Sequence, residues 1–138
     1  MDDRLAALLD GIVPPRSDLP GAGGLGLDQA VTADARESGR VGDLDSVLAM
    51  LPEGIARMSP LARDGCLREV AEAAPMAFAS VVNMAYTAYY TDPRVLRALQ
   101  ERTGYQASPP QPNGYRLPSF DDQVLERARQ RAPMWRRA

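Results

Sequence analysis

Apolar residues recur at helical spacing along most of the chain, and proline and glycine interrupt them. The pattern predicts helices over residues 2–13, 27–37, 43–58, 60–74, 76–91 and 94–102, and a last helix from a cap at Ser119 or Asp121 to near Pro133. We find no strand pattern, no internal repeat and no heptad pattern. The chain is therefore predicted to be an all-α, compact single-domain bundle of five to seven helices over residues 1–138.

Local signals mark several helix ends. Ser59-Pro60 and Asp92-Pro93 each place a capping side chain before a proline, which is the usual start of a helix. Gly104 is expected to end the helix that begins at Asp92-Pro93. Pro52 lies inside the third helix, so a kink or a break is expected there.

The segment 76–91 is the most apolar in the chain. Its residues are apolar nearly all round the helix, which is typical of a helix in the middle of a bundle. Ser80 and Asn83 would then be buried and would need hydrogen-bond partners.

Two proline- and glycine-rich loops are predicted, over residues 14–26 and 105–118. The first contains GAGGLG, which lacks the glycine spacing and the preceding strand of a dinucleotide-binding turn, so a flexible connector is expected. The second holds four prolines together with Tyr105 and Tyr115. Long ordered loops of this kind often form interaction surfaces.

The composition argues against catalysis by this chain alone. It has no histidine and no lysine, since all 16 basic residues are arginine. Histidine is the commonest general base and zinc ligand, and lysine is the Schiff-base nucleophile. The single cysteine, Cys66, is expected to be a small buried side chain. We therefore expect no catalytic residue, no metal and no cofactor in this chain.

Charge and hydropathy restrict the partners. The formal net charge is −2, which does not favour nucleic acid, and no apolar run reaches the length of a membrane span. The N-terminus lacks the basic start of a signal peptide, so a cytoplasmic location is expected, with export on a partner left open. The arginine-rich last helix is interpreted either as a solvated face or as a protein interface. Trp135 and the loop tyrosines either fold back onto the bundle or contact a partner.

Four segments, in order, are similar to one family. AYYTDPRVLRAL at residues 88–99 resembles the "Y-x-D-P" motif of the small subunit, subunit 3 or gamma, of gluconate 2-dehydrogenase and related sugar dehydrogenases. Pro110, Pro112, Gly114 and Tyr115 resemble the family's P-x-P-x-G-Y element. LLDGIVPP near the start and FDDQVLERARQRAPMW near the end resemble its opening and its tail.

This resemblance implies a helical accessory subunit without flavin or catalytic residues. Its partner would be a large FAD-dependent oxidoreductase of the glucose-methanol-choline type that oxidises a sugar, a glycoside or a sugar acid, and some such complexes add a multihaem cytochrome. The family's twin-arginine signal is missing here, which favours a cytoplasmic complex. The residues expected to bind the partner are Tyr89, Tyr90, Asp92, Pro93, Tyr105, Tyr115, Trp135 and Arg136. The alternative hypothesis is a helical interaction module with an unrelated partner.

Overall fold

The computed structural model describes residues 3–17, 19–106 and 121–130. Residues 3–106 contain six α-helices, namely α1 (Asp3–Ile12), α2 (Asp28–Glu37), α3 (Val41–Met50), α4 (Pro60–Ala73), α5 (Pro75–Thr91) and α6 (Pro93–Thr103). A 3₁₀ turn at Ile55–Arg57 lies between α3 and α4. Strands are absent from the described residues, where β pairing is limited to an isolated bridge between Arg16 and Leu19. The predicted all-α fold class is confirmed.

Local chemistry sets the helix ends where the sequence signals place them. The Ser59 hydroxyl accepts a hydrogen bond from the N–H of Ala62 at 3.3 Å, and Pro60 takes the first position of α4. Gly104 ends α6 with a φ of 71°, a left-handed conformation that glycine adopts without steric cost. Pro52 lies in a break between α3 and the 3₁₀ turn, so the predicted third helix is two shorter pieces.

The core lies around α5, which contacts each of the five other helices. All six helices contribute buried apolar side chains, among them Leu8, Val31, Val47, Val70, Met84 and Val95. Burying a side chain of this size contributes roughly 1.5–3 kcal/mol to stability. The central position predicted for this helix is therefore correct.

One side of α5 is nevertheless exposed, so the prediction that Asn83 is buried is wrong. Ser80 is half-buried, and its hydroxyl has no hydrogen-bond partner in the described part of the chain. The five surrounding helices cover only part of the circumference of α5. A helix that is apolar all round carries no periodic signal to indicate which side the others leave open.

The buried side of α4 is narrower than its apolar residues suggest. Leu67 and Val70 are buried, whereas Leu61 is 82% exposed. Cys66 is half-buried beside the core, with its Sγ 3.8 Å from the Sδ of Met58. The expected role of Cys66 as a small packed side chain is thus met in part.

The first proline- and glycine-rich loop is packed against α1. Ala22 is fully buried, and its N–H donates to the carbonyl oxygen of Val13 at 3.0 Å. The N–H groups of Gly23 and Gly24 donate to Oδ1 of Asp10 at 2.8 and 3.1 Å. A loop was predicted correctly, but these contacts hold it to the bundle and do not leave it as a free connector.

The segment 121–130 is described by itself. The Asp121 side chain accepts a hydrogen bond from the N–H of Gln123 at 2.9 Å and caps a 3₁₀ turn at Asp122–Leu125. A short helix, α7 (Glu126–Arg129), follows directly. Asp121 is thus the cap, of the two candidates, and the predicted helix end near Pro133 lies outside the described residues.

Candidate functional site

An exposed, uncharged surface runs along α5, and we call it the α5 face. It consists of Met76, Ala79, Asn83, Tyr86 and Tyr90, all of which are exposed. Steps of three and four residues separate them, which places all five on one side of the helix. The 17 residues of α5 include no Asp, Glu, Lys or Arg, although 25% of the whole chain is charged. The helix therefore presents to solvent a side from which charge is missing.

An apolar groove of about 260 Å³ lies beside the α5 face, between α1, α4 and α5. Ile12 of α1, Leu67 of α4, and Phe78 and Val82 of α5 line it. Tyr86 belongs to both the groove and the α5 face, so the two form one continuous surface. Contiguous apolar surface of this kind is typical of protein interaction sites.

Charged side chains of neighbouring elements border this surface. Asp64 and Arg68 of α4 line the groove and form an ion pair with an N–O distance of 2.8 Å. Arg40, which precedes α3, donates from Nη1 to Oδ1 of Asn83 at 3.1 Å and pairs with Asp34 of α2 at 3.1 Å. An apolar centre with a polar rim is the usual composition of a protein interface.

Near the end of α5, Tyr90 contacts two other tyrosines. The rings of Tyr86 and Tyr90 lie 6.1 Å apart at a tilt of 49°, and those of Tyr89 and Tyr90 lie 5.2 Å apart in an edge-to-face arrangement. Aromatic pairs in these geometries attract each other. The exposed rings are therefore partly held in place before any partner binds, which lowers the entropic cost of binding.

Tyr89 lies inside the bundle, in contrast to its neighbour Tyr90. Its side chain is only 2% exposed, and its hydroxyl donates to the carbonyl oxygen of Pro20 at 2.9 Å. Burial raises the pKa of Tyr89, and the neighbouring Tyr90 raises it further. Tyr89 was predicted to bind a partner, but so little of it is accessible that we leave it out of the candidate surface. Its observed contact fastens α5 to the first loop.

The α5–α6 corner is closed by Asp92, whose Oδ1 accepts a hydrogen bond from the N–H of Arg94 at 2.8 Å. The Arg94 guanidinium forms an ion pair with the same carboxylate, with an Nη2–Oδ2 distance of 2.7 Å. It also donates to the carbonyl oxygen of Leu25 at 3.0 Å. The side-chain hydrogen bond from Arg94 lowers the pKa of Asp92, although partial burial acts in the opposite direction. Asp92 and Arg94 thus hold the two helices and the first loop together.

Replacing Asp92 by Asn should destabilise the chain in a pH-dependent way. Asn also caps helices well, so the change removes mainly the charge that pairs with Arg94. Because the pKa of Asp92 is lowered in the folded state, its contribution is present above the unfolded value of about 4 and is lost as the pH falls through the folded value. Urea unfolding should therefore show that Asp92→Asn lowers the free energy of unfolding more at pH 7 than at pH 3.

The matched control for this prediction is the same substitution in an Arg94→Ala background. Without the guanidinium, the cost of Asp92→Asn should differ less between pH 7 and pH 3 than in the wild-type background, because the largest cause of the lowered pKa of Asp92 is gone and only its backbone N–H hydrogen bonds remain. If Asp92→Asn, with Arg94 present, lowers the free energy of unfolding equally at pH 7 and pH 3, the role given to this ion pair is contradicted.

The other residues predicted to bind a partner fall into two groups. Tyr90, Pro93 and Tyr105 are exposed, with Tyr90 52% and Tyr105 57% accessible. Tyr115, Trp135 and Arg136 lie outside the described residues. The structure therefore brings Tyr90 into the α5 face and shows Tyr105 and Pro93 on the surface of the six-helix part of the chain, residues 3–106.

Four members of the α5 face were not among the predicted site residues. They are Met76, which is 83% exposed, Ala79, Asn83 and Tyr86. The spacing forms only a weak apolar heptad pattern, because Ala and Asn contribute little to such a pattern. The absence of charge over the whole of α5 was the available signal.

No group of three or more His, Cys, Asp or Glu side chains among the described residues has the arrangement of a metal site. No helix in the described ranges combines the length and the apolarity that crossing a bilayer requires.

Comparisons of the chain with models of known families, with curated proteins and with solved structures find no match. The likeness to the dehydrogenase small subunit therefore rests on the motifs in the sequence.

Proposed function

We propose that this chain is a non-catalytic small subunit that binds and stabilises a large FAD-dependent dehydrogenase of the glucose-methanol-choline type. The partner would oxidise a sugar, a glycoside or a sugar acid, and a cytochrome subunit would complete some complexes. The observation that carries a binding role is the α5 face, an exposed and uncharged surface. The ordered motifs that resemble the dehydrogenase small subunit, among them the Y-x-D-P motif at the end of this face, direct the proposal to a flavoprotein. The FAD is assigned to the partner.

The physical argument is one of residue type and exposure. Interface centres are depleted in charged residues and enriched in tyrosine and methionine, and Met76, Tyr86 and Tyr90 show both properties. These large side chains gain hydrophobic free energy only if another molecule covers them. The groove lined by Phe78 and Val82 adds a recess in which a partner side chain can be buried.

The composition supports an accessory role. A chain without histidine or lysine lacks the two side chains that most often transfer protons or form covalent intermediates near neutral pH. In the proposed complex the partner carries out the redox chemistry, and this chain binds and stabilises the partner.

The second candidate is a helical interaction module with an unrelated partner. The α5 face favours it equally, because shape and apolarity do not specify a flavoprotein. The gene beside the one for this chain distinguishes the two. A large flavoprotein with a G-x-G-x-x-G turn near its N-terminus supports the first candidate.

Co-expression tests the proposal directly. We expect the neighbouring flavoprotein to be largely insoluble when expressed alone, because the surface that this chain covers would be exposed. Co-expressed with this chain, it should be soluble, co-purify with it and oxidise a sugar or glycoside with an artificial electron acceptor. The chain purified alone should show no flavin or haem absorbance.

The control is co-expression with an unrelated helical protein of similar size, which should not increase the soluble yield. A flavoprotein that is soluble, flavin-loaded and fully active without this chain, and that does not bind it, would overturn the proposal.

A further inference from the structure

We propose that the first loop, over residues 14–26, opens as a unit while the six helices stay folded, and that its opening uncovers a recess between α1 and α4. The loop is then a movable cover as well as the connection from α1 to α2. This inference concerns the chain by itself, so it does not depend on the partner assigned above.

Little apolar surface holds the first loop in place. Among its described residues, Ala22 alone has a fully buried side chain, and that side chain is a single methyl group. Pro14 and Pro15 are exposed, and Leu19 and Leu25 are half-buried. Each of the six helices, in contrast, contributes larger side chains to the common core. A segment with few buried apolar contacts opens at a lower free energy than the core that it lies against.

Polar contacts with three helices hold the loop closed. The side chains that make them are Asp10 of α1, Tyr89 of α5 and Arg94 of α6, and their hydrogen bonds to the loop backbone measure 2.8–3.1 Å. The bonds from Gly24 to Asp10 and from Arg94 to Leu25 lie at the surface, where water competes for the same groups. The loop is short, so a movement that breaks one of these bonds displaces the groups that make the others. We therefore expect the contacts to break together, as one opening event.

Two features of the closed state favour opening. Ser17 has a φ of 33°, which a residue other than glycine rarely adopts and which costs conformational energy. The Nε of Arg63, in the recess beside the loop, is buried and has no hydrogen-bond partner in the described part of the chain. A buried donor without an acceptor is destabilising, and opening of the loop gives this N–H access to water. The closed state is thus held by hydrogen bonds against two opposing costs.

The recess beside the loop has a volume of about 430 Å³. Pro14 and Pro15 form the side that the loop contributes, and Arg63 is contributed by α4. Gly11 and Asp64 line both this recess and the apolar groove beside the α5 face, so the recess and the groove are continuous. Movement of the loop away from α1 therefore extends the open groove along α1 and α4.

Thiol labelling of the folded chain measures the opening. Ala22 of the loop, Ala35 of α2 and Ala85 of α5 are all fully buried, so Ala22→Cys, Ala35→Cys and Ala85→Cys place a small thiol where a reagent cannot reach it in the closed state. Each is made in a Cys66→Ser background, which removes the chain's only other thiol. We expect position 22 to react at least about tenfold faster than positions 35 and 85, because the locally open state is populated more often than the unfolded state.

Urea and a core substitution separate local opening from unfolding of the bundle. Labelling at position 22 should change little in dilute urea, because the opening exposes little surface, whereas labelling at position 85 should accelerate. Val47→Ala removes buried methyl groups of α3 and destabilises the bundle. It should accelerate labelling at position 85 at least about tenfold and leave the rate at position 22 unchanged.

A substitution at one of the loop contacts tests the link between the loop and the recess. Tyr89→Phe removes only the hydroxyl that donates to Pro20, and it should accelerate labelling at position 22 by about two- to tenfold. Arg63→Cys, also in the Cys66→Ser background, places a thiol in the recess. Adding Tyr89→Phe should accelerate labelling at position 63 by the same factor as at position 22, because the same movement exposes both.

Hydrogen exchange of the unsubstituted chain is a second measurement, which applies even if Ala22→Cys fails to fold. The backbone N–H groups of residues 22–25 are all hydrogen-bonded in the closed loop, and they should exchange faster than the buried amides of α1 to α6. If they exchange only as slowly as those amides, the loop opens only when the bundle unfolds, and the inference is wrong. If they exchange fast but labelling at position 63 does not respond to Tyr89→Phe, the loop does not cover the recess, and the inference is wrong on that point.

Discussion

Replacing Ala85 by Asp should abolish the soluble, folded chain. Ala85 is fully buried on the side of α5 that faces the other helices. A carboxylate there would have no ion-pair partner, and an uncompensated buried charge costs about 3–5 kcal/mol, beside the steric cost of the larger side chain. Single domains are stable by only about 5–15 kcal/mol, so little or no folded protein should remain. Soluble yield and the far-UV circular dichroism melt measure the effect.

Ala79→Asp is the matched control, because Ala79 lies on the same helix but is exposed. The two substitutions have the same helix propensity cost, so their difference reports burial alone. We expect Ala79→Asp to change stability by less than about 1 kcal/mol. Val82, which is half-buried in the groove, should tolerate Asp less well than Ala79 and better than Ala85. An Ala85→Asp chain that melts like the wild type would show that the core is not arranged around α5.

Replacing Gly23 by Ala should destabilise the bundle by about 3 kcal/mol, the upper range for overpacking a tight contact. A Cβ atom at this position would overlap the backbone carbonyl oxygen of Ala6 in α1 and would also crowd the carboxyl group of Asp10. Backbone atoms of a helix cannot move aside, so the loop must shift and lose the hydrogen bond from Gly23 to Asp10. The midpoint of thermal unfolding should fall by at least about 10 °C for a unit of this size.

The adjacent Gly24 provides the control. A Cβ there would lie 3.5 Å from the carbonyl oxygen of Gly21, which is an ordinary contact distance. Gly24→Ala should therefore change stability by no more than about 0.5 kcal/mol. Equal unfolding midpoints for Gly23→Ala and Gly24→Ala would contradict the packing of this loop on α1.

The α5 face combines what a small accessory protein needs for a stable interface. Its tyrosines are held by one another, and its corner is closed by Asp92 and Arg94, so little order has to be gained on binding. The same surface is exposed in the described part of the chain, so under the proposed function the chain should be more soluble in the complex than alone.

Local chemistry was sufficient for the helix ends. Ser59-Pro60, Asp92-Pro93 and Gly104 act through atoms within four residues of themselves, and each begins or ends a helix as predicted. The all-α class follows equally from the sequence, because helical spacing of apolar residues is a property of the chain alone.

The tertiary structure decided which sides of these helices are covered. Tyr89 and Tyr90 are neighbours of the same type, yet one is buried against Pro20 and the other is exposed, because successive residues on a helix point about 100° apart. The residues of α5 are apolar nearly all round, so their pattern does not indicate which side of the helix is buried. The exposure of Asn83 and Tyr86 therefore depends on where the neighbouring helices end.

The loop over residues 14–26 also has one property that the sequence determines and others that the tertiary structure determines. Its glycines and prolines determine that it is not helical, and this part the sequence determined by itself. That Gly23 lies against α1 and that Ala22 is buried follow from contacts with residues more than eight positions away in the chain. The composition of a segment shows which regular structure it cannot form locally. Which helix surfaces pack together, and which remain exposed like the α5 face, depends on how the whole bundle packs.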